Sequence, residues 1–465
     1  MDIVHQILRS FERVTEFVLD VLERGLDYVD FEQKLQAELS SLGGEVCKAV
    51  LEAGDRYLVE HPGERAGWQV ERRDEPKTVK TPFGEIKYLR TYFHHKSTGK
   101  YAYLVDRLAG CGPHARVDAA LRAQIVETSS ELSYRKTGKG PGMRPPSSRV
   151  SAQTVMSSIR DFDLEEKVAK EQVEKRRCKF LYVEADEDHV ASQKGKKYMP
   201  RLVYVHEGRE AKGNRNRLEE LHYFSGLYKD NEELWLWVLN YIEEHYDMNF
   251  LERIFVCGDG ASWIKKGLRV MPKSVFVLDM FHLDKYLVGT LERRSAAYRE
   301  AWKAVKAGDR LTVERQLKAA ESSAETPEQK ETARRCRIYV RQNWEGIMAY
   351  VKYPEADLGV SAEGHVSHVL SARLSSRPMA WSHKGVDQMS RMRAFKANGV
   401  DLEQLYLEQH VKTTELLKVT PALMAKEREH LKHAVGEVIS NLPAVNGGRV
   451  TQLRRTLRSI SHRIF

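Results

Sequence analysis

Three acidic side chains lie far apart in the chain at points where a folded sheet could bring them together. Asp186 belongs to the stretch K-F-L-Y-V-E-A-D-E-D-H-V (179–190), in which four apolar residues lead into an acidic cluster. Asp259 follows the apolar run of 253–257, and Glu363 opens a helical pattern. Oxygen ligands suit hard divalent cations, whereas histidine and cysteine select other metals. Three converging carboxylates could hold two Mg²⁺ ions, or Mn²⁺ in their place, for an in-line displacement at phosphorus.

The acidic cluster by itself leaves the first ligand open. Side chains alternate between the faces of a strand, so Glu184, Asp186 and Asp188 would share one face. Carboxylates crowded together repel one another unless a cation or another partner offsets their charge. A solvated turn that happens to be acidic is the competing interpretation. For Glu363 the alternative is a carboxylate that only favours the dipole of its helix.

The elements around these acids follow the order β-β-β-α-β-α-β. Strands are predicted at 180–183, 201–206, 221–227, 253–257 and 274–278, and helices at 231–245 and 262–268. This order is that of an RNase H-like core, an α/β fold with a mixed five-stranded sheet whose first strand lies centrally. Asp259 and Asp279 would then end two strands at the same edge of the sheet, where open α/β sheets bind their ligands.

The third acid lies at the start of a further helix. Ser361 is the predicted N-cap, which places Glu363 in the first turn. Val366, Leu370 and Leu374 lie three, seven and eleven residues beyond Glu363 and so share its face. That face is expected to pack on the sheet and to aim Glu363 at the edge of the core instead of at water.

Length and composition limit the class of protein. A chain of 465 residues, 42% hydrophobic and 30% charged, predicts two or three soluble domains. Apolar runs are too short to span a bilayer, and the charged N-terminus does not resemble a signal peptide. The five cysteines are scattered, which indicates a reducing cytoplasm and no structural metal site of the cysteine type. A net charge of +9 is compatible with a polyanionic partner.

The segment from 68 to 108 predicts a small sheet of hairpins with basic side chains at exposed positions. These side chains are Lys77, Lys80, Lys87, Arg90, His94, His95 and Lys96. A basic ribbon can follow a phosphate backbone. Lysine also keeps the edge of a sheet soluble, so both interpretations remain open.

Two helices predicted at 117–132 and 150–162 could form a helix-turn-helix whose second helix enters a major groove. A basic turn with Arg135 and Lys136 follows the first helix. The join of 137–149, which ends in Arg149, is far longer than the usual tight turn. It is either a flexible arm that contacts DNA or an ordinary linker.

Periodicity and composition divide the chain into seven regions. They are an N-terminal helical region (1–65), a β-hairpin region (66–116), a helix-turn-helix-like DNA-binding region with a linker helix (117–177), the first part of the RNase H-like core (178–284), a basic helical insertion (285–350), the last part of the core with the Glu363 helix (351–398) and a basic C-terminal helical region (399–465). The insertion is either a solvated addition or a platform for DNA, and the C-terminal arginines either grasp DNA or form a solvated end.

Seven stretches, spread over nearly the whole chain, resemble the sequences of one known protein family. They are T-P-F-G-E-I-K-Y-L-R-T-Y (81–92), Y-A-Y-L-V-D (101–106), S-Y-R-K (133–136), Y-V-E-A-D-E-D-H-V (182–190), C-G-D-G-A-S-W-I (257–264), L-D-M-F-H-L-D-K-Y (278–286) and S-A-E-G-H-V-S-H-V-L-S-A-R-L-S-S-R-P-M-A-W (361–381). These stretches resemble the ISLre-type transposases of bacterial insertion sequences, a DDE family distantly related to the Mutator-like transposases. The join of 137–149 is longer than is usual in that family, which puts a compact helix-turn-helix in doubt.

The resemblance implies a catalytic, metal-binding triad of Asp186, Asp259 and Glu363. It favours Asp186 over Asp188 as the first ligand, with Asp188 as the alternate if the strand register slips by two residues. Glu184 would then play a supporting part or lie at the edge of the sheet. The cofactor implied is Mg²⁺, with Mn²⁺ as a substitute.

Further residues near the triad are weaker candidates for DNA contacts. His282 lies in a D-x-x-H element after the fifth strand, as in Mutator-like enzymes, and would contact DNA or a phosphate unless it is a packed structural histidine. Arg373 and Arg377, one turn apart on or just beyond the Glu363 helix, would contact backbone phosphates.

The activity that the resemblance implies is transposition by a cytoplasmic, nucleoid-associated enzyme. The chain would bind terminal inverted repeats in double-stranded DNA, cleave there, and join the freed 3′-hydroxyl to target DNA. It would assemble as a homo-oligomer on DNA, without a membrane. The alternatives are an RNase H-fold nuclease, such as a resolvase, that cuts without joining, and a transposase-derived DNA-binding protein without catalysis. The intact acids argue against the last.

Overall fold

The computed structural model describes residues 3–25, 27–107, 109–112, 114–140, 145–164, 174–212 and 215–410. The chain forms two compact units: the first comprises Met1–Asp161 with Leu402–Phe465, and the second comprises Phe162–Asp401. Most of the predicted linker helix, and the C-terminal region beyond 410, lie outside the described residues. The seven predicted regions are finer than this division and stay predictions. None of the described helices is long and apolar enough to cross a bilayer.

More of the described residues lie in helices than in strands. The described strands, in chain order, are β1 (Trp68–Thr81), β2 (Gly84–His95), β3 (Tyr101–Ala102), β4 (Phe180–Glu187), β5 (Arg201–His206), β6 (Arg209–Lys212), β7 (Arg215–Leu218), β8 (His222–Gly226), β9 (Arg253–Gly258) and β10 (Ser274–Leu278). The described α-helices are α1 (Ile3–Arg24), α2 (Tyr28–Glu60), α3 (Ala119–Ser129), α4 (Tyr134–Lys139), α5 (Ala152–Arg160), α6 (Asn231–His245), α7 (Ser262–Val270), α8 (Met280–Leu291), α9 (Ala296–Ala307), α10 (Arg310–Ser322), α11 (Pro327–Gln342), α12 (Trp344–Lys352), α13 (Ala362–Val366), α14 (Ala372–Leu374), α15 (His383–Ala397) and α16 (Leu402–His410).

An antiparallel sheet in the order β1-β2-β3 lies in the first unit. Thr81 pairs with Gly84 across the tight turn of its long hairpin, and Gly84 has a φ of +128°, which a side chain would strain. The predicted sheet of hairpins is therefore present. Its first strand begins at Trp68, and irregular pairings let the ladder continue through the charged stretch 71–75.

Two of the basic side chains predicted to be exposed on this sheet are buried. Lys77 and Arg90 are 7% and 8% exposed, and both form salt bridges with Asp106. The Tyr88 hydroxyl also donates to Asp106 Oδ1 at 2.8 Å. A buried carboxylate is costly unless it is paired and hydrogen-bonded, so Asp106 draws both cations inward. The prediction is wrong for Lys77 and Arg90, and the basic ribbon is narrower than expected.

Serine side chains cap the N-termini of two of the three short helices that follow the sheet. Ser133 accepts a hydrogen bond from the Lys136 amide at the start of α4, and Ser151 accepts one from the Thr154 amide at the start of α5. Such caps satisfy amides that have no partner within the helix. The residues 133–136, predicted as a turn, therefore begin a helix.

The described end of the join between α4 and α5 packs against the β1–β2 turn. Ser148 is 2% exposed, and its hydroxyl donates to the Thr81 carbonyl at 2.7 Å. Val155 and Ile159 on α5 are both buried. The helices α3, α4 and α5 contact one another, so the segment forms a packed three-helix cluster despite its long join.

Asp118, which caps α3, makes stability in this unit depend on pH. Its side chain accepts a hydrogen bond from the Leu121 amide at 2.7 Å, and burial raises its pKa to about 6. The native carboxyl therefore holds a proton between about pH 4 and pH 6 that the unfolded chain releases, and its contribution to stability falls as pH rises through that window. Asp118→Asn keeps the cap, because asparagine is an equally good N-cap. We expect the substitution to leave the free energy of unfolding unchanged at pH 4 and to raise it by about 1 kcal/mol at pH 7.5.

Urea denaturation at both pH values measures this effect. Asp309, the exposed N-cap of α10, is the matched control, because hydrogen bonds lower the pKa of its carboxyl and Asp309→Asn should bring no gain at pH 7.5. An equal gain from Asp118→Asn at both pH values would contradict the prediction.

A mixed five-stranded sheet in the order β10-β9-β4-β5-β8 lies in the second unit. The strands β4, β5 and β8 form an antiparallel meander, whereas β9 and β10 run parallel to β4. The predicted α/β class with a mixed five-stranded sheet is confirmed, and β4 lies at its centre as expected. A short hairpin of β6 and β7 follows β5 and is an addition that the sequence pattern did not predict.

Helices cover both faces of this sheet. One face packs with α6 and α7 around a core that includes Val183, Trp235 and Ile264. The other face carries Tyr182 and Cys257 and packs with α12. The predicted insertion of 285–350 is helical, and its helices share a core of their own with Leu278 at the end of β10.

Candidate active site

The carboxyl ends of two parallel strands bring Asp186 and Asp259 together. In the ladder of β4 and β9, Glu184 pairs with Cys257. Asp186 and Asp259 each lie two residues beyond that pair, at the same end of the two parallel strands, and the charge of Asp259 acts on the Asp186 carboxyl. This is the edge at which open α/β sheets bind ligands.

A third aspartate, Asp279, lies beside them but is occupied by the helix that it begins. Its amide donates to the Gly258 carbonyl at 2.9 Å. Its Oδ1 accepts a hydrogen bond from the Phe281 amide at 2.9 Å, and its Oδ2 accepts one from His282 Nδ1 at 2.7 Å. Asp279 therefore caps α8 and orients the His282 ring.

Charge couples the aspartates to His282. Burial raises the pKa of Asp186 to about 6, and the negative charges of Asp259 and Glu187 raise it too. The Glu187 amide, which donates to Asp186 Oδ1 at 2.8 Å, and the nearby His282 act in the opposite direction. The hydrogen bond that His282 donates to Asp279 raises the pKa of His282, as do the charges of Asp279, Asp186 and Asp259. Asp186, Asp259 and His282 thus form one electrostatic cluster.

Glu363 lies in the first turn of α13, as predicted, but its side chain is exposed. Ala362 takes the buried position of that turn at 4% exposure, and Val366 and Leu370 follow it at four-residue steps. The chain then passes through a π-helical turn, Ser367–Ser371, a feature that is frequent at functional sites. The prediction that Glu363 points away from water is wrong, because the packed stripe begins one residue earlier.

Glu184 does not lie at the open edge of the sheet. Its side chain is fully buried, and its carboxylate accepts hydrogen bonds from the Tyr204 hydroxyl at 2.7 Å and from the Ser361 amide at 2.6 Å. Ser361 holds the N-cap position of α13, but its side chain does not cap the helix. The Ser361 hydroxyl instead donates to Glu184 Oε1 at 3.2 Å.

Asp188, the alternate first ligand, is also engaged elsewhere. It is 8% exposed, and the Ser375 hydroxyl lies 2.9 and 2.8 Å from its two carboxylate oxygens. The His189 amide donates to Asp188 Oδ1 at 2.8 Å. Of the three acids on one face of the predicted strand, Asp186 is therefore the one that lies beside Asp259.

Asp186 and Asp259 suit a divalent cation by their chemistry, as two oxygen donors of like charge at one strand edge. Across the described residues, no group of three or more histidine, cysteine, aspartate or glutamate side chains lies close enough to hold a metal ion. The structure therefore brings together two of the three predicted ligands and leaves Glu363 outside the pair.

A family model described as "Uncharacterised protein family (UPF0236)" matches residues 21–410. The chain belongs to this family. The UPF0236 protein TTE2489 of Caldanaerobacter subterraneus subsp. tengcongensis is 36% identical over 456 residues, which cover 98% of this chain and 97% of the relative. The "UPF0236 protein in vanSb 3'region" of Streptococcus gallolyticus is 24% identical over 449 residues, with 91% and 96% coverage.

The UPF0236 family has many paralogues in one genome. Another relative from the same Caldanaerobacter organism is 36% identical over 463 residues, which cover 99% of this chain and 98% of the relative. Its name joins eleven labels, from TTE0033 to TTE2212. Further paralogues from that organism carry other labels.

The predicted DNA-contacting residues of this UPF0236 chain differ in exposure. Three of them are exposed side chains of the first unit: Arg135, Lys136 and Arg149. In the second unit Arg377 is exposed, whereas Arg373 is 4% exposed with its guanidinium carbon 4.9 Å from the centre of the Trp381 ring. Arg373 is packed within its own unit, which does not suit a direct phosphate contact. Arg377 stays a prediction.

Two residues that the sequence patterns did not reveal support the loop that carries Asp259. One lies on α11 and the other directly follows that helix. The Tyr339 hydroxyl donates to the Asp259 carbonyl at 2.7 Å. Gly260 has a φ of +91°, and a Cβ there would lie 2.3 Å from Asn343 Oδ1. The Gly-Asp-Gly run was the one signal of this contact, because glycine permits both the positive φ and the close approach.

Proposed function

We propose that this UPF0236 chain is a DDE transposase of a bacterial insertion sequence, which binds terminal inverted repeats and catalyses metal-dependent cleavage and strand transfer of DNA. The proposal rests on the closeness of Asp186 and Asp259, which lie at the ends of the neighbouring parallel strands β4 and β9. Like charges so placed repel unless a cation offsets them. Carboxylate pairs of this kind hold divalent cations in many enzymes that transfer phosphoryl groups.

The sheet of the second unit supports an RNase H-like catalytic core. The first strand of the core, β4, lies at the centre, and β5 runs antiparallel to it. The strands β9 and β10 extend the sheet on the other side of β4 in parallel. The stretches 182–190 and 257–264, which resemble ISLre-type transposases, fall on the two strand ends that carry Asp186 and Asp259.

In the proposed site, Asp186 and Asp259 would hold the cation. Glu363, whose side chain is exposed on α13 and lies outside this pair in the structure, would complete the ligand set only after a movement of α13. When bound, Mg²⁺ or Mn²⁺ would activate water or a 3′-hydroxyl and offset charge on the leaving oxygen. Asp279 accepts a hydrogen bond from His282 Nδ1, which holds the ring beside the carboxylates and raises the pKa of His282. A protonated ring there can donate to a DNA phosphate.

The many paralogues in one genome support a mobile element. An element that inserts into new sites leaves several related genes in one chromosome, whereas a metabolic enzyme is usually encoded once or a few times. The Caldanaerobacter relative whose name joins eleven labels fits the first pattern.

The first unit is the proposed DNA-binding region. The helix α5 begins after the exposed Arg149, and Gln153 and Ser157 on it are exposed as well. The short helix α4 carries the exposed Arg135 and Lys136. A helix that presents polar side chains between basic residues suits a major groove, in which polar groups contact base edges and cations contact phosphates.

Incubation of the purified chain with duplexes that carry the ends of its own element tests the proposal. We expect cleavage at the element ends in Mg²⁺, no cleavage in EDTA, and joined products when target DNA is added. Shuffled ends are the control. Affinity should fall steeply as salt rises, because phosphate contacts release counterions.

Other outcomes of this assay would favour the alternatives. Cleavage without joined products would indicate an RNase H-fold nuclease. Specific binding without cleavage in either metal would indicate a non-catalytic DNA-binding protein. An affinity that ignores ionic strength would contradict the proposed phosphate contacts.

A further inference from the structure

Glu184 is a buried carboxylate at the centre of the five-stranded sheet. It is 0% exposed, and an ionised carboxylate in such a place is costly unless hydrogen bonds offset the loss of water. Two partners come from the adjacent strand β5. The Tyr204 hydroxyl donates to Oε2 at 2.7 Å, and His206 Nε2 lies 3.2 Å from Oε1.

The remaining partner comes from a distant part of the chain, at the start of α13. The Ser361 amide donates to Glu184 Oε2 at 2.6 Å, and its hydroxyl lies 3.2 Å from Oε1. Four residues further on, His365 Nδ1 lies 2.6 Å from the Tyr223 hydroxyl on β8. Both Ser361 and His365 are thus tied to the sheet, and Glu363 lies midway between them.

The helix α13 depends on these ties for its place. It forms the first turn of a helical segment that continues through the π-helical turn Ser367–Ser371 to Leu374, and it has no side-chain cap at its N-terminus. The amides of a first helical turn have no partner within the helix, and a segment this short is marginal in water by itself, so tertiary contacts must hold its beginning in place. Because Glu184 lies two residues before Asp186 on β4, a shift of Ser361 away from Glu184 would move Glu363 relative to Asp186.

We propose that Glu184 is a positioning residue that sets the place of Glu363 relative to Asp186. The expected effect of Glu184 on catalysis rests on the proposed function. The hydrogen-bonded tie between Glu184 on β4 and Ser361 at the start of α13 does not. The Glu184 carboxylate accepts hydrogen bonds from the Ser361 amide and from two side chains of β5. These bonds hold the start of α13 against β4, the strand that carries Asp186.

Glu184→Gln tests the proposal, because glutamine keeps the size of the side chain but has one acceptor oxygen in place of two. We expect amide hydrogen exchange in residues 361–366 to rise about tenfold or more, since a hydrogen bond to a charged group is lost. Mg²⁺-dependent cleavage should fall about 10- to 100-fold at saturating DNA, with unchanged DNA affinity. Ser361→Ala keeps the amide donor, so its effects should be much smaller.

Val238→Ala is the matched control for loss of stability alone. Val238 is fully buried on α6, in the core of the other sheet face. At temperatures that match the two unfolding midpoints, Val238→Ala should retain slow exchange in 361–366 and near-normal cleavage. Equal exchange and equal cleavage in the two variants would overturn the proposal.

The two readouts separate this inference from the proposed function. If the wild-type chain does not cleave DNA but Glu184→Gln still loosens 361–366, the proposed function fails and the tie stands. If the wild-type chain cleaves DNA and Glu184→Gln changes neither exchange nor cleavage, the positioning role is wrong.

Discussion

Asp259→Asn is expected to lower Mg²⁺-dependent cleavage of element ends by about 10³-fold or more, because a neutral amide replaces a negatively charged ligand. The fold should survive the change. Asp259 Oδ1 accepts a hydrogen bond from the Ala261 amide at 2.8 Å, and the asparagine carbonyl can accept the same bond. Removal of one of two neighbouring negative charges also relieves repulsion on Asp186, whose pKa the charge of Asp259 raises. The melting temperature should therefore be unchanged or higher.

Gel assays of cleavage, with melting curves of the same samples, measure both halves of this prediction. Glu252→Gln is the matched control, because Glu252 is an exposed acid at the opposite end of β9 and pairs with Lys179 at 3.3 Å. The control should cleave like the wild type. Full activity of Asp259→Asn in Mg²⁺ would refute the metal site.

Asp106→Asn is expected to lower the free energy of unfolding of the first unit by about 3–5 kcal/mol, the usual cost of breaking a buried ion pair on one side. The Asp106 carboxylate is 3% exposed and holds Lys77 Nζ at 2.8 Å, Arg90, and the Tyr88 hydroxyl at 2.8 Å. Without its charge, two buried cations lose their counterion.

Urea denaturation of the full chain measures the loss. Glu85→Gln, on an exposed position of β2, should change stability by less than about 0.5 kcal/mol. A loss below about 1 kcal/mol for Asp106→Asn would show that the two cations find water or other partners.

Local sequence patterns predicted much of the second unit. The strands Arg201–His206 and Ser274–Leu278 and the helix Asn231–His245 have the predicted bounds. In each case a run of apolar residues of the right period ends at polar or turn-forming residues, so the signal lies within the element itself. The β6–β7 hairpin escaped prediction because Arg209–Lys212 carries charged residues without an apolar face.

The residues of the candidate site were predictable in part. That Asp186 and Asp259 end two strands follows from the sequence, and parallel pairing then brings them to one edge. The orientation of Glu363 was not predictable from helical spacing, because the choice between Ala362 and Glu363 as the packed residue depends on how α13 lies against the sheet.

The sequence by itself determined where the main strands and helices of the second unit lie and which acids end the strands, because both depend on neighbours within a few residues. Only the tertiary structure decided which partner each charged side chain has. Glu184 holds the start of α13 because the amide of Ser361, 177 residues later, donates a hydrogen bond to its carboxylate. Lys77 and Arg90 turned inward because Asp106 packs beneath their sheet. The physical reason is that a charge can be buried only where its partner is, and such partners are set by long-range packing.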